Sequence, residues 1–206
     1  MKGSLIVVGF FALGCVLGWS GRLPDVVIEN DITVYVLYLL MFQVGLSIGA
    51  QHPYNVPLTE TCPWKSSKYI EHNAGTSMMS MGNIEVLVNY MNQDAFLNPD
   101  GEVRSILLSE QGYTSQGGEA NQAAAFAYAY YKVEAYGDID GFLLNRQTDA
   151  PEEVAQGLAF GLNHVGGGTK KQIYNVFKYI DTPEHAAYTD FAKSIIGISS
   201  WSEIIR

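Results

Sequence analysis

Residues 103–145 read VRSILLSEQGYTSQGGEANQAAAFAYAYYKVEAYGDIDGFLLN, and this stretch decides the fold. It opens with a short apolar run at 103–108, too brief for a helix and bounded by turn residues, as a buried strand requires. An Ala-rich helix is predicted over 119–136, broken by Gly137-Asp138. A second apolar run, 139–145, forms the next strand. Neither run alternates strictly between apolar and polar. That is the pattern of parallel strands covered by helices. Strand, helix, strand in this order predicts α/β architecture with a parallel sheet.

Working outward, residues 83–96 place Ile84, Leu87, Val88, Met91 and Ala95 at helical spacing, with Asn83 as a candidate N-cap. Asn98-Pro99-Asp100-Gly101 is a turn. Pro53, Pro57 and Pro63 exclude a helix interior between the N-terminal apolar region and that helix. On the other side, a long loop over 146–168 leads to a helix at 169–180 carrying Ile173, Val176, Phe177 and Ile180. A last helix runs through Phe191, Ile195 and Ile196, capped by Thr182 or Asp181 with Pro183 at its first position.

The chain of 206 residues has a formal net charge of -9, with 48% hydrophobic and 16% charged residues. That acidity argues against a nucleic-acid partner, because phosphate contacts need clustered Lys and Arg. Two cysteines make no disulfide framework. The charge is unevenly spread. Residues 1–50 carry Lys2 and Arg22 against Asp25, Glu29 and Asp31, a balance of -1, which leaves -8 for residues 51–206.

Residues 3–21 and 32–50 are each 19 residues long without a charge. A membrane span needs about 17–25 mostly apolar residues. Trp19 and Tyr35 fall near the ends, and Gly9, Gly14, Gly18, Gly45 and Gly49 would allow close helix packing. The expectation is a two-span transmembrane hairpin over residues 1–50, in contact with membrane lipid through 3–21 and 32–50. A signal peptide accounts for Met1-Lys2 and the run 5–17 but not for the second stretch. Buried soluble helices are the other alternative. One Lys or Arg on each side leaves the orientation undecided. Residues 44–54, VGLSIGAQHPY, read equally well as an apolar strand ending at His52.

The candidate chemistry clusters after the apolar runs. Glu110 follows the first strand of the opening stretch, where a carboxylate can act as nucleophile or as acid and base; a Glu that merely caps the loop is the alternative. His52 and Tyr54 follow the run at 44–51 and could contact a substrate or orient a carboxylate; an ordinary loop histidine is the alternative and the default reading. Asn145 and Arg146 end the second strand; Arg146 could bind a hydroxyl or carboxylate, or pair with Asp149. Tyr54, Trp64 and Tyr113 could stack on sugars, although most single aromatics in such loops are packing residues. Metal chemistry is poorly supported: His52, His72, His164 and His185 are scattered, and Asp138-Ile139-Asp140 lacks the rest of a calcium loop. Residues 161–166, GLNHVG, lack the Lys-Ser/Thr of a phosphate loop. No serine sits in a nucleophile elbow, and no cofactor is indicated.

Two resemblances add to this. MKGSLIVVGFFALGCVLGW and LPDVVIENDITVYVLYLLMFQVGLSIG resemble two consecutive spans of the bacterial lysine exporter family. That resemblance implies a membrane location for the first 50 residues but not transport, because the stretches hold no ionisable residue that could form a pathway. The runs HPYNVPLTETCPW, NIEVLVNYMNQDAFLNPDGEVRSILLSEQGYTS, QAAAFAYAYYK, IDGFLLNRQTD and KKQIYNVFKYIDTPE resemble a family of bacterial barrel proteins of unknown function, themselves similar to retaining glycoside hydrolases of (β/α)8 fold. This resemblance implies that His52 and Tyr54 follow strand six, that Glu110 ends strand seven as the nucleophile, and that Asn145 and Arg146 follow strand eight. It implies a carbohydrate partner. The related enzymes take their acid/base from an Asn-Glu pair on strand four, and no such pair occurs in this sequence. Where they often carry a Trp on strand eight, this chain has Asn145 or Arg146.

A (β/α)8 barrel takes about 250 residues, about 200 at the least. Residues 51–206 provide 156 (206 less 50), with about three strands. The expected fold is therefore a partial TIM-barrel-like α/β segment over 51–206, preceded by the hairpin. Retaining hydrolysis needs two carboxylates about 5–5.5 Å apart. Only one is identifiable, so the chain by itself is expected to lack glycosidase activity. A membrane-anchored carbohydrate-binding protein, and a small membrane protein related to the lysine exporter, are the alternatives.

Overall fold

A computed structural model describes residues 48–65 and 68–206. Three parallel strands form one sheet in the order β1-β2-β3: β1 is Ile48–Gln51, β2 is Ser105–Gln111 and β3 is Ile139–Leu144. The helices are α1 (Ile84–Met91), α2 (Glu119–Ala135), the single turn α3 (Pro151–Val154), α4 (Gln172–Tyr179) and α5 (His185–Ile196). Each crossover carries a helix and leads to the neighbouring strand: α1 lies between β1 and β2, α2 between β2 and β3. This is α/β structure as expected, built on three strands rather than a closed barrel among the described residues.

Ile106 and Leu108 of β2 are fully buried, as are the alanines along α2 from Ala123 to Ala129. Small side chains all round let α2 pack at once against β3, α4 and α5. Phe126 of α2 stacks on Phe142 of β3, with centroids 5.8 Å apart. The opposite face of the sheet is less covered. Leu107 reaches across it over Gly141, where a Cβ would lie 2.3 Å from Leu107 Cδ1, and Leu143 is 48% exposed.

Two buried ion pairs pin the connections. Lys132 Nζ of α2 donates to Glu85 Oε2 of α1 at 2.9 Å and to Gly82 O, and Glu85 Oε1 meets His72 Nδ1. Burial pushes the Glu85 carboxyl up, but the hydrogen bonds from His72 and Lys132 outweigh it and hold it below the usual carboxylate range. Lys171 Nζ lies 2.6 Å from Asp149 Oδ2 and donates to Ala159 O.

Several expectations shift. The strand expected at 103–108 runs Ser105–Gln111, so Glu110 lies inside it rather than after it. Asn83 does not cap α1 with its side chain. Ser80 caps the 3-10 turn Met81–Asn83, while the buried Asn83 amide donates to Glu71 O, Thr76 Oγ1 and Met78 O, organising the preceding loop. Pro183 precedes the last helix instead of opening it; Thr182 Oγ1 caps the turn there by accepting from Glu184 N. The expected membrane spans lie outside the described residues, except that the last three residues of the second, Ile48 to Ala50, belong to β1. Among the described residues no helix is long and apolar enough to cross a membrane.

Candidate functional site

Parallel strands bring their C-terminal ends to one side, and each of the three delivers a polar side chain there. His52 and Tyr54 follow β1, Glu110 is the penultimate residue of β2, and Asn145 and Arg146 follow β3. Strict alternation would place Glu110 on the same face as the buried Ile106 and Leu108. The pairing of β2 with β3 explains why it does not. Leu108 pairs with Phe142 and Gln111 with Leu144, so β2 holds one more residue than β3 over that interval. A bulge of this kind re-aims a side chain. Gln111 turns into the core, fully buried, and Glu110 is left 42% exposed.

Around Glu110 the polar groups interlock. Tyr54 donates its hydroxyl hydrogen to Glu110 Oε1 at 2.7 Å, and the Asn145 amide Nδ2 donates to the same oxygen at 3.0 Å and to the Tyr54 oxygen. Glu110 Oε2 faces His52 Nδ1 at 4.0 Å, beyond hydrogen-bonding distance. One carboxylate oxygen is thus held by two donors, and the other faces the half-exposed His52. Burial, and then the hydrogen bond to Glu110, raise the Tyr54 phenol well above its ordinary value. The phenol is therefore a proton donor to Glu110 at any physiological pH.

The loop after β3 forms a wall. Phe160 packs against Tyr54 with ring centroids 5.7 Å apart, and a Cβ on Gly112 would lie 3.0 Å from the Phe160 ring. Arg146 donates from Nη2 to Glu153 Oε1 of α3, while Asp149, its partner by sequence proximity, is taken by Lys171. The Glu153 charge reaches Tyr54, adding to the rise in its pKa. Phe160 and Glu153 were not visible in the sequence as site residues; the one available signal was the acidic pair after Pro151, a helix-start pattern without a stated target.

Two of the candidate aromatics lie elsewhere. Tyr113 is 1% exposed inside the core and offers no ring to a ligand. Trp64 packs on Tyr128 of α2, with centroids 5.8 Å apart. His52, Tyr54, Glu110 and Asn145 are brought together, with Arg146 on the adjoining wall. Among the described residues no three of His, Cys, Asp and Glu converge as metal ligands.

Residues 45–204 match the family described as a family of unknown function, DUF5722. Residues 8–63 match the lysine exporter LysO family, a membrane-protein family, over about a quarter of the chain. The two matches overlap at 45–63, which includes β1, His52 and Tyr54. No curated protein and no solved structure matches the chain.

Proposed function

The chain belongs to the DUF5722 family of unknown function, and from that membership and the Glu110 cluster we propose that residues 48–206 are a glycoside-hydrolase-like module that binds carbohydrate but does not hydrolyse it unaided. The observation that carries this reading is the grip on Glu110 at the C-terminal end of the middle strand: two donors on Oε1, and Oε2 turned to the open side. A carboxylate so held is oriented for attack at an anomeric carbon in a retaining mechanism. Each crossover moves one strand in the same direction, an order that a segment of a (β/α)8 barrel has and that one half of a doubly wound sheet shares. Polar residues at the C-terminal strand ends are where such barrels keep their sites. His52, Tyr54, Asn145 and Arg146 are assigned to substrate binding. The acid/base carboxylate and the remaining strands would come from outside this segment.

A membrane-anchored form of the same module is supported by the match of residues 8–63 to the lysine exporter family. In that form residues 3–21 and the part of 32–50 ahead of β1 meet lipid.

The test is a turnover assay on the full-length chain with aryl glycosides, paired with an oligosaccharide-binding assay. The expected outcome is binding without release of the aryl group. Clean turnover that Glu110→Gln abolishes would show that the chain holds a complete active site, and absence of any oligosaccharide binding would remove the carbohydrate reading.

A further inference from the structure

We infer that the Arg146–Glu153 pair is a charge filter that adapts the Glu110 site to uncharged glycans and turns away sugars bearing a carboxylate. The inference rests on the carbohydrate reading above and deepens it by naming the class of sugar.

A guanidinium beside a sugar site is ordinarily the group that takes a sugar carboxylate, because its planar fork matches two oxygens. Arg146 follows Asn145, the residue that grips Glu110, so its side chain branches from the same strand end. Here one arm of that guanidinium is engaged from within the chain, Nη2 donating to Glu153 Oε1, while Arg146 Nε and Glu153 Oε2 are buried without a hydrogen-bond partner. The pair is half-sheltered, with 34% and 29% of the two side chains exposed.

The loop on either side of Glu153 is held by bonds that do not depend on Arg146. Thr114 Oγ1, just after β2, donates to Gly157 O at 2.6 Å and accepts from Ala159 N at 3.1 Å. Gly161 N donates to Asp149 Oδ1 at 2.7 Å, and a Cβ at Gly161 would lie 2.5 Å from Asp149 N, so backbone meets backbone there. Asp149 is locked to the fully buried Lys171. The loop therefore carries Glu153 to Arg146 on a fixed support. The Glu153 charge is felt as far as Tyr54, in the centre of the site.

With Arg146 neutralised, Glu110 is left as the uncompensated charge of the cluster. An incoming sugar carboxylate would meet two carboxylates and a guanidinium already engaged. Like-charge juxtaposition of this kind discriminates against a ligand without improving the fit of the accepted one. Removing the Glu153 charge would free Arg146 for the opposite task.

The experiment is calorimetric titration of the full-length chain, in a detergent that is not itself a glycoside, with a neutral hexose oligomer and a uronate oligomer of the same length. The native chain is expected to bind the neutral oligomer at least tenfold more tightly. Glu153→Gln should move that ratio at least tenfold toward the uronate, and Glu153→Asp, which keeps the charge, should leave it near the native value. A measurement on the native chain stands apart from any folding defect in the variants. Uronate affinity should rise with added salt as repulsion is screened, while neutral affinity stays level. A ratio unchanged by Glu153→Gln with neutral binding intact, or uronate affinity that falls with salt, overturns the filter and leaves the carbohydrate reading standing. Failure of every form to bind either oligomer overturns the carbohydrate reading and the filter together.

Discussion

Tyr54 sits between three groups: it donates to Glu110, receives the Asn145 amide, and packs its ring on Phe160. Its phenol is held protonated by burial and by the Glu110 bond. The folded chain binds that proton more tightly than the unfolded chain, whose tyrosines ionise near about 10. The stabilisation is therefore complete below about 10 and is lost as pH rises toward the folded value. Tyr54→Phe is expected to make alkaline unfolding less steep, and a native-minus-variant ultraviolet titration should stay flat through the range where free tyrosines ionise. A phenolate signal from Tyr54 near its ordinary value would contradict the geometry. Glu110 itself was legible in the sequence, because a carboxylate closing an apolar run stands out. Its neighbours were legible only as strand-end residues. That Glu153 would reach Arg146 was not, since a long loop can fold in many ways and only the Thr114, Asp149 and Lys171 anchors choose among them.

At the scale of elements, the opening strand–helix–strand was read from apolar run and break residues, because those carry burial directly. The bulge that turns Glu110 outward was not, since it comes from unequal spacing against β3 and not from composition. β1 is the instructive case. Its residues end an apolar stretch whose length fits a membrane span, and composition alone does not separate the two. They compete physically: with Ile48–Gln51 in the sheet, only residues 32–47 remain for a second span. Sixteen residues of helix reach about 24 Å, short of the roughly 30 Å hydrocarbon core. Gly49 distinguishes the two states. In β1 a Cβ there would lie 3.1 Å from Met91 Cε of α1, whereas a span accepts any apolar side chain. Gly49→Leu is expected to destabilise the 48–206 unit by about 1–3 kcal/mol in denaturant unfolding, the usual cost of overpacking. An unchanged midpoint would mean that Met91 Cε, the flexible end of its side chain, gives way to the added side chain.

For the whole molecule, the described part is an open arc. Its sheet has three strands, one face lined by helices, and Leu143 half-exposed on the other. In a closed barrel that second face would be the packed interior, and open edges are a liability that closure removes. On the proposed reading, the acid/base residue and the cover for that face would both come from structure outside residues 48–206. The central claim is that carbohydrate binds where the three strand ends meet. Its most direct test is photo-crosslinking of the full-length chain with a neutral oligosaccharide carrying a diazirine, followed by peptide mapping. Crosslinks are predicted in the peptides containing His52 to Tyr54, Glu110 and Asn145 to Arg146, suppressed by excess unlabelled oligosaccharide. Crosslinks confined to other surfaces, or none that the competitor suppresses, would contradict it.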